Sequence, residues 1–402
     1  MLTPATRDAL PVLWIYGPAG VGKTTAAWAL FDRLSRDGIR TGFVDIDMLG
    51  MCYAAPTPEH WAPEPASDPV RHLLKISALD RVLANFRAAG ARCVIVSGVV
   101  DPERGVDPGM LPHAELTLCR LRAEPDELRR RMAVRGRPGE PVDEILRDAA
   151  TLDRSELPGV CIDTTGHGVD EVVRLVLKYV GEWPAKGGLD DGAALTAVAT
   201  SAPSTSGEIL WISGPRAIGK STIGWQVYRQ SRLAGQHTAF LDLDQVGFLR
   251  PTRSEDVGNH RLKAANLAAV WQTFRSRGAQ RLVVVGPIDD GHPDVYSSAL
   301  PAAGIRLCRL QATREQLAER AIRRGQGLGT TWGVPGDELV GLSAAALSRI
   351  ADQAADELDA QEHAGLGGLP VDTNERPVEQ IADEILRLSG WLRELEKPLA
   401  DL

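Results

Sequence analysis

Residues 17–24 read GPAGVGKT and fit the pattern G-x-x-x-x-G-K-[ST]. An apolar run over residues 12–16 precedes this stretch and a helical pattern over residues 25–34 follows it, so the sequence predicts a strand, a glycine-rich loop and a helix. Glycines allow the backbone N–H groups of such a loop to point inward, and the N-terminus of the helix adds a partial positive charge. The stretch therefore predicts a phosphate-binding loop of the Walker A type. The alternative is a glycine turn that only packs the strand against the helix.

The same arrangement returns in the second half of the chain. An apolar run over residues 209–213 leads into residues 214–221, which read GPRAIGKS. Other short motifs recur in the same order: residues 45–47 match 242–244, residues 72–75 match 260–263, residues 119–121 match 308–310, and residues 163–164 match 372–373. This repetition predicts a tandem duplication of one domain.

The duplication predicts the domain boundaries. We expect a first domain over residues 1–184 and a second over residues 208–402. Residues 185–207 are rich in Gly, Ala, Ser, Thr and Pro and contain few residues that could form a core. They are predicted to form a flexible linker.

Composition narrows the class of protein. The 402 residues are 44% hydrophobic and 24% charged, which is typical of globular domains, and the net charge of −8 argues weakly against nucleic-acid binding as the main task. The N-terminus lacks a basic segment followed by an apolar one, no apolar run is long enough to span a membrane, and the five cysteines form no C-x-x-C pair. These features predict a cytoplasmic protein with reduced thiols. Four cysteines lie in apolar runs and are predicted to be core residues: Cys93, Cys119, Cys161 and Cys308.

Strand and helix patterns alternate in each copy. In the first copy, strands are predicted near residues 12–16, 41–46, 93–97, 115–121 and 160–163, and helices near residues 23–36, 69–89, 125–133 and 169–180. The strands are short continuous apolar runs, as expected for a parallel sheet that is buried on both faces. The fold class is therefore predicted to be α/β, with ligands bound at the carboxyl ends of the strands.

Charged residues follow these strands and helices at positions suited to phosphoryl transfer. Lys23 and Lys220 are expected to reach the β- and γ-phosphates of ATP, and the hydroxyls of Thr24 and Ser221 are expected to bind Mg²⁺. Each D-x-D motif can direct two carboxylates toward the loop, one for Mg²⁺ and one to accept a proton from a substrate hydroxyl. The D-x-D residues are Asp45 and Asp47 in the first copy and Asp242 and Asp244 in the second. The alternative is a solvated strand end or a helix cap.

An arginine-rich segment follows the fourth predicted strand of each copy. Arg131 and Arg135 are spaced for one helix face, as are Arg320 and Arg324. Such arginines can clamp phosphates in a closing lid. The alternatives are a solvated basic helix face and, less favoured, an RNA-binding surface.

Taken together, these motifs resemble those of small-molecule P-loop kinases, including shikimate kinase, gluconate kinase, adenylylsulfate kinase and chloramphenicol phosphotransferase. The resemblance covers nearly all of both copies outside the linker. It implies two P-loop domains of the nucleoside and shikimate kinase type, each with a parallel sheet of about five strands in the order 2-3-1-4-5. It also implies that Asp45 and Asp242 lie on the metal side and Asp47 and Asp244 on the substrate side, and it leaves open which of each pair is the base.

The resemblance also implies a set of nucleotide-binding residues. Arg131 and Arg320 are expected over the phosphates, and the loops at residues 163–165 and 372–374 are expected to flank the adenine. The full set in the first copy is Gly17, Gly20, Gly22, Lys23, Thr24, Thr25, Arg135, Asp163 and Thr164. In the second copy it is Gly214, Gly219, Lys220, Ser221, Thr222, Arg324, Asp372 and Thr373.

The segments that differ most between the copies, residues 48–75 and 245–263, are expected to bind the phosphoryl acceptor. His72 and Lys75 share a helix face by their spacing, as do His260 and Lys263, although a plain surface pair is equally consistent with it. Asp101 and Asp289 are further candidates for metal or substrate contacts. The sequence thus predicts an ATP- and Mg²⁺-dependent kinase of a small hydroxylated or phosphorylated metabolite, active in at least one copy. A nucleoside or nucleotide kinase, an ATP-binding sensor and an RNA-end kinase are alternatives, and the oligomeric state stays open.

Overall fold

The computed structural model describes residues 9–53, 69–135, 142–181, 183–184, 206–288, 294–328, 339–363 and 367–391. Nearly all of the expected linker, residues 54–68 of the expected acceptor segment, and Asp289 lie outside these residues. The backbone of Arg135 is described, but its side chain is not.

The chain divides into two compact units. Unit 1 holds the described residues of Met1–Gly50, Ser67–Ala202 and Gln245–Thr273. Unit 2 holds the described residues of Met51–Ala66, Pro203–Asp244 and Phe274–Leu402. The described residues 51–53 and residues 245–273 are therefore grouped with a different unit from the D-x-D motif that precedes each of them.

Unit 1 is built on a six-stranded sheet in the order β5-β4-β1-β3-β2-β8. The strands are β1 (Leu10–Tyr16), β2 (Thr41–Asp45), β3 (Cys93–Gly98), β4 (Ala114–Arg122), β5 (Val160–Asp163) and β8 (Phe248–Arg250). All neighbours are parallel except β2 and β8, which are antiparallel with Phe43 opposite Phe248. The helices are α1 (Lys23–Arg36), α2 (Pro69–Ala88), α3 (Pro125–Arg135), α4 (Val142–Arg154) and α5 (Val169–Val180). The sequence patterns predict neither α4 nor β8.

Unit 2 is built on a five-stranded parallel sheet in the order β11-β10-β6-β9-β7. Its strands are β6 (Gly207–Ser213), β7 (Thr238–Asp242), β9 (Arg281–Val285), β10 (Ala303–Gln311) and β11 (Leu369–Asp372). Its helices are α6 (Lys220–Leu233), α8 (Asp294–Ala299), α9 (Arg314–Gly325), α10 (Ala344–His363) and α11 (Val378–Leu388), while α7 (His260–Ser276) runs from unit 1 into unit 2. The expected α/β class with mainly parallel sheets is confirmed.

The core of unit 1 lies between the sheet and the helices α1 and α5. Apolar side chains of α1, such as Leu30 and Phe31, pack there with Ile15, Ile95 and Val176, all of which are almost completely buried. Cys93, Cys119 and Cys308 are buried as predicted, but the prediction for Cys161 is wrong because its side chain is exposed. Cys161 lies on β5, which is an edge strand of the sheet that the described residues form. No helix within the described residues is long and apolar enough to cross a membrane.

Candidate active site

The two glycine-rich loops have matching backbone geometry at the carboxyl end of the central strand of each sheet. Gly17, Gly20 and Gly22 have φ values of 149°, 78° and 96°. Gly214 and Gly219 have φ values of 151° and 106° at the first and last of these positions. Since side chains disfavour positive φ, the glycines are what allow each loop to turn its N–H groups inward.

The middle position of the second loop is an alanine, Ala217, which also has a positive φ of 65°. An alanine in this region is strained by roughly 1–2 kcal/mol. A Cβ atom placed on its counterpart Gly20 would lie 2.7 Å from the Met132 sulfur. By the correspondence of Arg131 with Arg320, the residue that replaces Met132 in unit 2 is Ala321, so the larger loop residue occurs with the smaller helix residue.

The lysine of each loop lies over the loop itself. Lys23 Nζ donates to the Pro18 carbonyl oxygen at 2.8 Å. Lys220 Nζ donates to the carbonyl oxygens of Gly214 and Pro215, each at 2.8 Å. Burial lowers the pKa of Lys220, while the carboxylates of Asp244 and Asp242 act in the opposite direction. Each ammonium group is thus bound to carbonyl oxygens of the glycine-rich loop that contains its own motif.

The hydroxyl after each lysine has a different partner in the two units. Ser221 Oγ donates to Asp242 Oδ2 at 2.7 Å. Thr24 Oγ1 instead lies 3.1 Å from Ser97 Oγ at the end of β3. Ser97 corresponds to Val285 in unit 2, which has no hydroxyl, so the repeats differ in the donor set around this position.

The two carboxylates of the first D-x-D motif differ in environment. Asp47 N donates to Asp45 Oδ1 at 3.0 Å, which fixes the Asp45 carboxylate at the end of β2. Burial, with the charge of Asp47 as a second cause, raises the pKa of Asp45 to about 7. For Asp47, desolvation by the surrounding protein atoms acts to raise the pKa although the side chain is 56% exposed, but the charge and hydrogen bond of Lys75 outweigh it and the net pKa is lowered. The protein thus shifts the pKa values of the two carboxyls in opposite directions, upward for Asp45 and downward for Asp47.

The second D-x-D motif repeats part of this pattern. Asp244 N donates to Asp242 Oδ1 at 3.1 Å. Burial, followed by the charge of Asp244, raises the pKa of Asp242 to about 6, and the hydrogen bond from Ser221 opposes this rise. A hydroxyl and a carboxylate side by side are ligands that Mg²⁺ accepts, so the residues present fit such an ion.

Lys75, on α2, is brought to the first D-x-D motif. Its Nζ lies 2.6 Å from Asp47 Oδ1, and its side chain is 8% exposed while that of Asp47 is 56% exposed. His72 lies on the same helix, and burial lowers its pKa, with the Lys75 charge as the second cause. The spacing of His72 and Lys75 in the sequence is equally consistent with a place in the site and with a plain surface pair.

Arg131 and Arg320 are engaged in the same way by the protein. Arg131 Nη1 donates to the Val21 carbonyl at 3.0 Å and to Thr164 Oγ1 at 3.0 Å, and Nη2 donates to the Thr164 carbonyl at 2.7 Å. The matching donors of Arg320 reach Ile218 O at 2.8 Å and the hydroxyl and carbonyl of Thr373 at 2.9 and 2.6 Å. Each guanidinium therefore ties the glycine-rich loop to the loop after the last strand of the sheet.

The remaining predicted nucleotide-binding residues lie around these arginines. Thr164 and Thr373 are almost completely buried, and the Asp163 and Asp372 carboxylates accept the N–H groups of Thr165 and Asn374. Thr25 is exposed in the first turn of α1, Thr222 is half-buried in α6, and Arg324 lies near enough to Lys220 to lower its pKa.

Several site residues were not singled out from the sequence. Ser97 has no motif that marks it, whereas Glu127, which accepts from Arg131 Nε at 2.7 Å, could have been found from its i, i+4 spacing. Asp101, a further candidate from the sequence, has contacts within its own loop: its carboxylate accepts the N–H groups of Glu103 and Arg104 and pairs with the Arg104 guanidinium at 3.0 Å. Its observed contacts are those of a loop cap.

No protein-family model and no curated protein matches the chain. Among solved structures, the chain is similar to a sugar kinase from Janibacter sp. HTCC2649, with 19% identity over 44% of this chain and 97% of that one and a TM-score of 0.32. It is also similar to a gluconokinase from Sinorhizobium meliloti 1021, with 20% identity over 44% and 93% of the two chains and a TM-score of 0.31. A shikimate kinase from Bacteroides thetaiotaomicron matches with 14% identity over 45% and 98% and a TM-score of 0.31.

Proposed function

We propose that the chain is an ATP- and Mg²⁺-dependent phosphotransferase with two tandem P-loop kinase-like domains. The observation that carries this proposal is the convergence of a Walker A lysine, its neighbouring hydroxyl and a D-x-D pair at one edge of each sheet. In unit 2 this convergence is direct, since Ser221 Oγ and Asp242 Oδ2 are 2.7 Å apart. The proposed product is the phosphate ester of a small hydroxylated or phosphorylated metabolite, formed in the cytoplasm by at least one of the two sites.

The proposed roles follow from the placement of the side chains. The backbone N–H groups of each loop and the N-terminus of the following helix hold the phosphates of ATP. Lys23 and Lys220 leave their loop carbonyls and neutralise the β- and γ-phosphates. Thr24 with Asp45, and Ser221 with Asp242, are the residues that would hold Mg²⁺, which supplies positive charge beside the transferring group when it is bound.

The second carboxylate of each pair is proposed to orient the acceptor and take its proton. Asp47 is suited to this role because it is ionised and more than half exposed. Asp244 is proposed to act likewise in the second copy. Arg131 and Arg320 are proposed to hold the nucleotide-binding loops in register, since most of their donors already bind protein carbonyls and hydroxyls. The rate enhancement would then come mainly from positioning and from charge stabilisation.

The experiment that tests the proposal is transfer of label from γ-labelled ATP, with Mg²⁺, to a panel of nucleosides, nucleotides, sugar acids, aminoglycosides and short RNAs. Wild type is compared with Lys23→Ala and Lys220→Ala. Label on one acceptor class, lost in only one variant, would assign the substrate class and the active site. Loss in both variants would indicate two coupled sites.

ATP binding is measured on the same preparations. Tight ATP binding without a labelled acceptor would favour an ATP-binding sensor over a kinase, and absence of ATP binding in wild type would refute both. Label on nucleosides or nucleotides alone would select a nucleoside or nucleotide kinase. Label on RNA ends alone would contradict the expectation from the net charge of −8.

A further inference from the structure

We propose that Lys75 is a positioning residue that holds the Asp47 carboxylate in place for the phosphoryl acceptor, and that Gly50 is the residue that makes room for it. This inference rests on the proposed function and adds a part to it that neither the Walker A motif nor the D-x-D motif contains. The same arrangement of glycine and lysine recurs in the second copy as Gly247 and Lys263.

In the ion pair between Lys75 and Asp47, the lysine is the buried partner. Lys75 Nζ lies 2.6 Å from Asp47 Oδ1, and the lysine side chain is buried while the aspartate side chain is largely exposed. Because the exposed side chain of Asp47 would otherwise be free to rotate, this bond to the buried lysine fixes one oxygen of the carboxylate. Within the described part of the chain, Asp47 Oδ2 makes no hydrogen bond, so it can accept one from a hydroxyl of the acceptor.

Gly50 is required by space rather than by backbone conformation. A Cβ atom added to Gly50 would lie 2.5 Å from Lys75 Cε and 2.8 Å from Lys75 Cγ. The aliphatic part of Lys75 therefore passes directly over the place where any other residue would carry its side chain. An alanine here must displace the lysine or shift the turn over Met48–Gly50 that follows the D-x-D motif.

The second copy repeats this packing. A Cβ atom on Gly247 would lie 2.4 Å from Lys263 Cγ and 2.7 Å from Lys263 Cε, and Lys263 is 8% exposed. Glycine and lysine are thus retained at both places in segments that otherwise differ strongly between the copies. A buried lysine destabilises a fold unless its charge is paired. The occurrence of such a lysine at the same place in both repeats therefore points to a shared task.

A substrate-independent experiment tests the ion pair first. The unfolding equilibrium is measured for wild type, Lys75→Met, Asp47→Asn and the double variant, all in the full chain. We expect a coupling of about tenfold in the unfolding constant, which equals about 1.4 kcal/mol. Additive effects of the two substitutions would show that the pair does not interact and would overturn the proposal.

The second experiment separates positioning from a structural role. On the acceptor that takes label from ATP, Lys75→Ala should lower kcat about 100-fold, the size expected when a reacting group is misplaced by about 1 Å. The affinity for ATP should stay unchanged, because Lys75 is not part of the glycine-rich loop. Methylammonium should partly restore the rate of Lys75→Ala, which has space for it, but not that of the matched variant Lys75→Met, in which the space is filled.

Gly50→Ala keeps Lys75 and tests whether the lysine side chain needs the space above Gly50. It should lower kcat in the same direction as Lys75→Ala. Gly367→Ala, at an exposed position without a positive φ where an added Cβ meets no atom within 4 Å, serves as the control for a lost glycine. A normal kcat in Lys75→Met despite the measured coupling would overturn the positioning role. If wild type transfers label to no acceptor while it binds ATP, the proposed function fails together with this role, and the coupling then reports a structural ion pair only.

Discussion

The contrast between Gly20 and Ala217 leads to a prediction in which reverse substitutions at matching positions of the two loops have opposite effects on stability. Replacing Ala217 with glycine removes the strain of a side chain at a φ of 65°, roughly 1–2 kcal/mol. It also gives the unfolded chain more freedom, which costs about 0.4–1 kcal/mol. We therefore expect Ala217→Gly to stabilise unit 2 by about 0.5–1 kcal/mol.

The reverse change in unit 1 is expected to be harmful for two separate reasons. Gly20→Ala places a side chain at a φ of 78° and brings its Cβ to 2.7 Å from the Met132 sulfur. The backbone strain costs roughly 1–2 kcal/mol and the overlap a further 1–2 kcal/mol, less the gain from a stiffer unfolded chain. The expected destabilisation is about 2 kcal/mol.

The overlap with Met132 can be isolated in a double-variant cycle. Met132→Ala gives unit 1 the small residue that unit 2 has at Ala321, so Gly20→Ala should cost about 1 kcal/mol less in that background. The assay is native-state hydrogen exchange of α1 and β1 in unit 1 and of α6 and β6 in unit 2, because it reports each unit separately. Equal signs for Gly20→Ala and Ala217→Gly would refute the strain argument, and strictly additive effects with Met132→Ala would refute the steric one.

Three further predictions concern other parts of the structure. Phe248→Ala changes the second half of the sequence but should destabilise unit 1 by about 2 kcal/mol. The reason is that the centroid of the half-buried Phe248 ring lies 4.9 Å from that of Trp28 and 6.0 Å from that of Phe43. Loss of hydrogen-exchange protection in unit 2 alone would contradict this. Asp45→Asn should stabilise the metal-free protein at pH 8 by on the order of 1 kcal/mol. The Asp45 carboxyl, whose pKa is raised to about 7 in the folded protein, binds more protons when folded than when unfolded. The wild-type free energy of unfolding therefore falls as pH rises from about 4 to 7, and the substitution removes this loss. Denaturant titrations should show this gain shrinking at pH 5, and a gain independent of pH would disprove the explanation. Arg131→Lys should weaken ATP binding about tenfold, since a lysine cannot bridge the Val21 and Thr164 carbonyls together; calorimetry giving wild-type affinity would exclude this bridging role.

Much of the fold class can be predicted from the sequence because its determinants are local. Continuous apolar runs of strand length, each followed by a helical period, indicate buried parallel strands wherever they occur. The determinants of the glycine-rich loops are equally local, since the lysine, the hydroxyl and the positive φ values all lie within eight consecutive residues. The D-x-D carboxylates follow from the same logic at the end of the next strand.

The contacts between residues distant in sequence could only be seen in the tertiary structure. Strand β8 is three residues long and pairs with β2 through backbone hydrogen bonds, which carry no side-chain pattern that a sequence would reveal. The exposure of Cys161 depends on β5 lying at the edge of its sheet, and the apolar run around it gives the opposite indication. The partner of Thr24, Ser97, is brought close only because β3 lies next to β1.

The sequence alone is sufficient to predict the two glycine-rich loops, the carboxylate pairs and the α/β class, because each depends on neighbours within one or two elements of the chain. The tertiary structure adds how the side chains of these motifs are held. It shows that Lys75 is buried beside Asp47, that Arg131 and Arg320 are bound to loop carbonyls, and that Gly50 makes room for a lysine side chain. The physical reason is that orientation and burial depend on packing between separate elements, which local composition does not specify.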